Sequence, residues 1–223
     1  MNKKLEDNLG KFAMLSVFGY LAYSQVELIA GIIAFRSQIP LWELKLISLI
    51  FSTIFLLLIL YFTITRLPPR NSAAGVEPRI TAVGGTFVMG LLIVLPAGEI
   101  GVELRIVSTV LIIVGTILSL YCIRQLGRSF SIMATARELV TEGPYKIIRH
   151  PLYGAELVTI LGFCIGHWSP AAAALGLVWL GLQIRRAQNE ELVLRECFPE
   201  YGDYARRVPM LLPGFMMPNM GRA

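Results

Sequence analysis

Two polar segments in an otherwise apolar chain carry the residue types that do chemistry. The first, ARELVTEGPYKIIRHPLYG, spans residues 136–154, and the second, RRAQNEELVLRECFPEYGDYARRVP, spans 185–209. In the first, Gly143-Pro144 marks a turn. His150 stands before Pro151, an order that keeps His150 out of the α conformation and suits the first position of a helix. A helix starting there puts Tyr153 on its first turn and presents unpaired N–H groups and a positive dipole end, which favour an anion such as a carboxylate. The plainer reading makes Arg149 and His150 interfacial basic residues beside an aromatic belt. In the second segment, Arg186, Glu190 and Val193 share a helical face at i, i+4, i+7 spacing. Arg186 and Glu190 can be a surface ion pair worth about a few tenths of a kcal/mol, but Arg before Glu is the weaker order, so a functional use stays open. Val193, Leu194, Phe198, Tyr201 and Tyr204 form an amphipathic stretch that can lie on the bilayer or cap a pocket.

Metal chemistry is not expected. His150 and His167 stand seventeen residues apart, about 25 Å along a helix, so they cannot share one metal. Cys122, Cys164 and Cys197 form no CxxC pair, their odd number argues against a disulfide framework, and they suit apolar packing.

The elements that position these segments follow from composition. The chain has 223 residues, 55% hydrophobic and 16% charged, with mean hydropathy +0.65. Soluble domains carry about 25% charged residues, so disorder, a coiled coil and a solvated nucleic-acid-binding domain are excluded and a membrane protein is indicated. Apolar runs at 12–35, 46–65, 80–96 and 106–123 are long enough to span. Two shorter runs, 151–166 and 171–184, are joined by HWSP, whose Trp168 and Pro170 suit a turn at an interface. They reach roughly 24 and 21 Å as helix, short of a hydrocarbon core of about 30 Å. The first run continues eleven residues past the cleavage-like Ala22-Tyr23-Ser24, and Glu6 and Asp7 dilute its basic start, so it reads as a retained helix rather than a signal peptide. Glu27 within it either marks a function or faces a wet groove.

Lysine and arginine sort the loops. The N-terminus, the 66–79 loop, the 124–149 loop and the tail from Arg185 hold 3, 3, 5 and 6, seventeen in all, against three (Arg36, Lys45, Arg105) in the opposite loops. The alternation is correct at every crossing and places both termini on the cytoplasmic side. The net charge of +5 and pI near 9.3 are thus a topology signal, and no nucleic acid is called for. The expected fold is an all-α polytopic integral membrane helical bundle of about five to six membrane helices. Residues 1–125 would form the N-terminal membrane helices, and 126–223 a cofactor-binding catalytic region of cytoplasmic loop, helical hairpin and C-terminal amphipathic helix.

The motifs ELVTEGPYKIIRHPLYG and, some thirty residues on, RRAQNEE…F.EY..Y.RRVP..LPGF resemble the integral-membrane methyltransferases typified by isoprenylcysteine carboxyl methyltransferase, with phospholipid N-methyltransferases as more distant relatives. The likeness covers about the last 100 residues; the first three helices resemble only generic spans. It implies S-adenosylmethionine as methyl donor, held between the two segments on the cytoplasmic side. Carried over by position, it implies cofactor contacts at Arg137, Glu138, Leu139, Val140, Tyr145, His150, Pro151, Leu152, Tyr153 and Glu190, with Arg186 at the acceptor. FPEY is one residue shorter than the family pattern, which leaves Tyr201 less securely aligned.

Chemically, His150 and the helix start at Pro151 suit the donor's carboxylate, Glu190 its ammonium or ribose hydroxyls, and the ring of Tyr145 or Tyr153 its sulfonium. A carboxylate acceptor needs alignment alone, which Arg186 can give by a bidentate contact. An amine or thiol must lose a proton, and His150 is the obvious base in the sequence. The expected partner is a lipophilic small-molecule or lipidated acceptor entering from the membrane lipid, methylated on oxygen, or alternatively on nitrogen or sulfur. The compact chain suggests a bacterial or archaeal cytoplasmic membrane. A non-enzymatic transporter or assembly subunit would need charge within the spans, which offer little beyond Glu27.

Overall fold

The computed structural model describes residues 3–211. The LPGF end of the second motif lies outside these residues, as do Arg222 and the first two positions. The chain forms helices α1 (Lys3–Ala34), α2 (Trp42–Thr65), α3 (Glu77–Phe87), α4 (Val102–Leu126), α5 (Pro151–His167), α6 (Pro170–Cys197) and α7 (Tyr201–Arg207), with a two-residue ladder between β1 (Asn71–Ser72) and β2 (Thr135–Ala136). This is an all-α polytopic membrane protein. Large apolar side chains such as Tyr20, Leu57, Ile64 and Leu177 stay exposed on its outer faces, where lipid is their solvent.

Local chemistry sets the boundaries. Pro68 and Pro69 follow the last turn of α2 and cannot continue it. Gly127 ends α4 with φ +54, a conformation that costs glycine least. Pro151 and Pro170 open α5 and α6 at positions where no N–H is needed, and the Ser169 hydroxyl caps α6 by accepting from Ala172 N at 3.1 Å. Beyond Phe87 the third apolar run tightens into a 3₁₀ stretch, Val88–Val94, which ends before Pro96.

Among the described residues, four helical segments are long and apolar enough to cross a membrane: Asp7–Ala34, Trp42–Thr65, Glu77–Val94 and Val102–Ser129. The two shorter runs are helices as well, but of a different kind. At 17 residues, α5 reaches about 25 Å, short of a full hydrocarbon core. The sixth run does not end at 184: α6 continues unbroken for 28 residues and carries the second polar segment on its far half. The sequence reading divided what is one rod.

Small residues bring α4 and α5 together. A Cβ on Gly162 would sit 2.7 Å from Ile112 Cγ1, and one on Gly115 would sit 2.6 Å from Thr159 N. Ser108 donates across the seam to Gly162 O at 2.8 Å, the close approach and polar bonding that hold helices together in lipid. Between α1 and α2, Ser52 and Thr53 donate to Gln25 Oε1 at 2.8 and 2.9 Å. Glu27 lies on the exposed face of α1 and accepts from Tyr23 Oη at 2.6 Å. One buried cluster joins Phe18, Leu56, Phe62 and Ile123 to Phe130 and Leu152. A second, of Ala136, Val193, Phe198, Tyr201, Tyr204 and Val208, packs the polar ends of the helices. The amphipathic stretch therefore turns its aromatic face into the protein and caps it.

Candidate active site

Between these two clusters lies a narrow cavity of about 100 Å³. Three pieces of chain enclose it: the loop from Leu126 to Tyr145, the start of α5, and the face of α6 that carries Arg186, Glu190 and Leu194. Tyr201 and Tyr204 of α7 close one side.

Four side chains form its polar centre. Tyr153 Oη donates to Glu190 Oε1. Arg186 Nε lies 3.4 Å from the same carboxylate oxygen, and its guanidinium sits over the Tyr153 ring, 5.0 Å from the centroid. The His150 and Tyr153 rings stack at 5.5 Å with an interplanar angle of 2°. The i, i+4 spacing seen in the sequence is thus a real pairing, though not at the surface, because Arg186 is only 5% exposed.

Glu191 organises a second layer. Its Oε1 accepts from Arg149 Nε at 2.7 Å and lies 3.4 Å from His150 Nε2, while Oε2 lies 3.3 Å from Arg195. Successive residues on a helix diverge by about 100°, so Glu190 and Glu191 flank His150 from two sides, Glu190 Oε2 standing 3.8 Å from His150 Nδ1. Burial works against the Glu191 charge, yet His150 and Arg149 outweigh it and hold the carboxyl at about 2. Arg149 also donates to the carbonyls of Ala205 and Val208 at 2.8 and 2.6 Å. The backbone N–H groups of Arg149 and His150 bond to Pro209 O and Met210 O at 2.9 and 3.1 Å, so residues 208–210 strap the start of α5. Tyr204 donates to Tyr145 O at 2.6 Å, and burial pushes its phenol up to about 12, keeping the donor proton in place.

Among the described residues, eight buried side-chain polar atoms have no hydrogen-bond partner. Five of the eight belong to residues lining this cavity: Ser129 Oγ, Arg137 Nε, His150 Nε2, Arg186 Nε and Tyr201 Oη. Proteins leave few such groups, and a concentration of them in one place calls for an explanation.

Of the eleven residues singled out by position, Arg137, Glu138, Leu139, Val140, Tyr145, His150, Leu152, Tyr153, Arg186 and Glu190 line the cavity. Pro151 does not; it is buried at the head of α5. Arg137 lines the wall from behind: its guanidinium donates to Leu67 O and, at 3.0 Å, to Asp7 Oδ1, which also accepts from Arg66 at 2.8 Å. Arg149, Glu191 and Tyr204 were missed as a layer. The doublet Glu190-Glu191 was the available signal, since successive helical residues diverge by about 100° and can flank one partner.

Residues 104–201 match the model of the phospholipid methyltransferase family. The chain is 36% identical over 110 residues to protein-S-isoprenylcysteine O-methyltransferase B of Arabidopsis thaliana, covering 46% of this chain and 56% of that one. It is 31% identical over 114 residues to a probable protein-S-isoprenylcysteine O-methyltransferase of Oryza sativa subsp. indica, covering 48% and 60%. It is also 40% identical over 77 residues to the nickel-cobalt-cadmium resistance protein NccN of Alcaligenes xylosoxydans xylosoxydans, covering 34% and 36%. The chain spans between about a third and three fifths of the length of these curated relatives.

Proposed function

We propose, from a C-terminal half that is isoprenylcysteine carboxyl methyltransferase-like, that this protein is an S-adenosylmethionine-dependent membrane methyltransferase. Its acceptor is a lipophilic, isoprenylcysteine-like molecule methylated on its carboxyl oxygen. The observation that carries this reading is the set of unpartnered polar atoms around Arg186 and His150. They fit a ligand rich in charge and hydrogen-bonding groups, as the donor is, with its carboxylate, ammonium, ribose hydroxyls and sulfonium.

When bound, S-adenosylmethionine supplies a methyl group activated by its sulfonium. His150, held between Glu190 and Glu191, stands at the start of α5, where it and the N–H groups of the first turn meet the donor's carboxylate. Glu190 receives the ammonium or ribose hydroxyls, and Tyr145 or Tyr153 gives a ring face to the sulfonium. Arg186, held by Glu190 and by the Tyr153 ring, orients the acceptor carboxylate. Displacement at a methyl carbon needs alignment and exclusion of water more than covalent help, and the buried tyrosines of α7 keep the cavity closed on one side. The seventeen-to-three charge bias puts this end of the bundle, and both termini, in the cytoplasm. The acceptor comes laterally from the bilayer. Methylation of an amine headgroup is the second reading, favoured by the phospholipid methyltransferase match.

Calorimetry of S-adenosylmethionine binding to detergent-purified protein, beside Glu190→Ala, tests the reading. The expected result is micromolar binding that the variant loses by tenfold or more. Well-folded wild type that binds nothing overturns it and brings a transporter or assembly subunit forward.

A further inference from the structure

The end of α2 gathers cations from three other stretches of chain. Lys11 Nζ of α1 donates to Ile64 O at 2.7 Å, and Arg128 Nε, in the turn after α4, donates to Thr65 O at 2.7 Å. Arg137 Nη1 donates to Leu67 O. Arg66 stands among these carbonyls and donates to Asp7 O and Asp7 Oδ1 at 2.7 and 2.8 Å. The same Oδ1 accepts from Arg137 Nη2 at 3.0 Å. Lys11, Arg66, Arg128 and Arg137 thus belong to or bond to residues 64–67 and form one cluster.

Part of this is helix capping. Open carbonyls at a helix C-terminus accept from basic side chains, and the dipole there is equivalent to roughly half a negative charge. Asp7 is the one carboxylate within 4 Å of the four cations among the described residues. Four cations against one carboxylate leave three positive charges, of which the dipole offsets only about half of one. Acceptors are short as well, since Arg66 Nε is buried with no hydrogen-bond partner. The residues around the cavity are balanced differently: Arg149 and Arg195 meet Glu191, Arg186 meets Glu190, and Arg185 meets Glu77.

The level of the cluster points to the kind of anion that completes it. Trp42–Thr65 is long and apolar enough to span, so its last turn stands where hydrocarbon gives way to headgroups. On the same helix ends, Phe12, Tyr61 and Tyr121 present large exposed side chains to the hydrocarbon. Cations beside such a surface suit a molecule with a phosphate at one end and acyl chains at the other. Basic pockets between membrane helices hold headgroups of this kind, and each Lys or Arg near an anionic surface adds roughly fivefold to affinity.

We propose that the ends of α1, α2 and α4 form a binding site for the phosphate of an anionic phospholipid, in the leaflet that the charge bias assigns to the cytoplasm. Half-buried Lys11 and exposed Arg128 meet the phosphate, and Arg66 and Arg137 add positive potential from behind. The site stands apart from the methyltransferase reading and holds whether or not the cavity takes S-adenosylmethionine. Its consequence for the cavity is mechanical. Arg128 and Arg137 belong to the loop that encloses it, so a bound headgroup fastens that loop to the bilayer.

The test titrates the full chain in detergent with dioleoylphosphatidylglycerol or dioleoylphosphatidylcholine and counts bound lipid by native mass spectrometry. The expected result is at least a tenfold preference for phosphatidylglycerol. Lys11→Gln/Arg128→Gln should lower phosphatidylglycerol affinity at least tenfold and leave phosphatidylcholine binding unchanged, whereas Lys11→Arg/Arg128→Lys should retain the preference. Arg206→Gln removes an exposed cation of α7 that is already paired with Asp203, and should change affinity by less than twofold. Equal affinity for the two lipids, wild-type binding in the double glutamine variant, or an equal loss in Arg206→Gln overturns the proposal. Displacement of phosphatidylglycerol by millimolar inorganic phosphate overturns the lipid assignment in favour of a free anion. If the double variant does not fold, Lys11→Gln alone, which leaves the turn after α4 intact, should still lower phosphatidylglycerol affinity about fivefold, and no loss there overturns the proposal.

Discussion

The four long apolar helices and the polar cap at their ends treat their hydrogen-bonding groups in opposite ways. Along the spans, hydroxyls are satisfied close to home: Thr53, Thr86, Thr109 and Thr116 each bond to a carbonyl one turn back, and Ser52 and Thr53 share Gln25. Around the cavity, five buried polar atoms are left open on residues from four separate stretches of chain. In lipid an unsatisfied group has no water to fall back on; among the described residues Thr63 Oγ1 of α2 is left open within a span, and most of the other open groups are gathered around the cavity, where a ligand can complete them. The difference distinguishes scaffold from site without reference to any relative.

The strongest way to sharpen that contrast is Arg186→Ala. It should lower turnover of a carboxylate acceptor at least 100-fold, about 3 kcal/mol of transition-state stabilisation, while donor affinity measured by calorimetry stays within about threefold. Loss of donor binding instead would reassign Arg186 to the cofactor. Next in size, Gly162→Leu forces a side chain into the α4–α5 seam at Ile112 and Ser108. Overpacking of this kind costs about 1–3 kcal/mol, read as a lower melting temperature in detergent, whereas the same change at Gly19, with nothing within 4 Å, should be nearly silent.

Glu191→Gln comes third, at about 1–2 kcal/mol for a charge-assisted bond lost from Arg149. Its signature is the pH dependence. With the native carboxyl held at about 2, against about 4.3 unfolded, the stabilising contribution is complete above the unfolded value and drains as the pH falls toward 2. Thermal denaturation across that window should show wild type losing the difference and Glu191→Gln staying flat. The smallest effect belongs to Gln25→Leu. Removing a polar link between α1 and α2 in the membrane should cost about 0.6 kcal/mol and leave donor binding untouched, and a change in donor binding would break the division between scaffold and site.

The sequence made the spans and the two site segments legible because both announce themselves locally, one by unbroken apolar runs and the other by polar residues where none are needed. It was less informative wherever the partner is distant. Arg137 stands in the right motif, yet its guanidinium is taken by Asp7, 130 positions away, and by Leu67 O. Glu156 stands alone inside an apolar run, and its hydrogen-bond partner Gln183 lies 27 positions away on α6, a pairing with no local mark. The break placed at 184 followed hydropathy, whereas backbone hydrogen bonds carry α6 through a change of environment without interruption. Tertiary closure, as in the strap from residues 208–210, leaves no periodic trace at all.

That strap also fixes an order of assembly. The N–H groups of Arg149 and His150 take their partners from Pro209 and Met210, some sixty residues later in synthesis. By then all four spans have been made and can already be settled in the bilayer. The scaffold is therefore in place before the cap can close, and a nascent chain halted after residue 153 but before 208 carries His150 and Tyr153 without a finished pocket around them. The cap thus closes on a bundle that is already built.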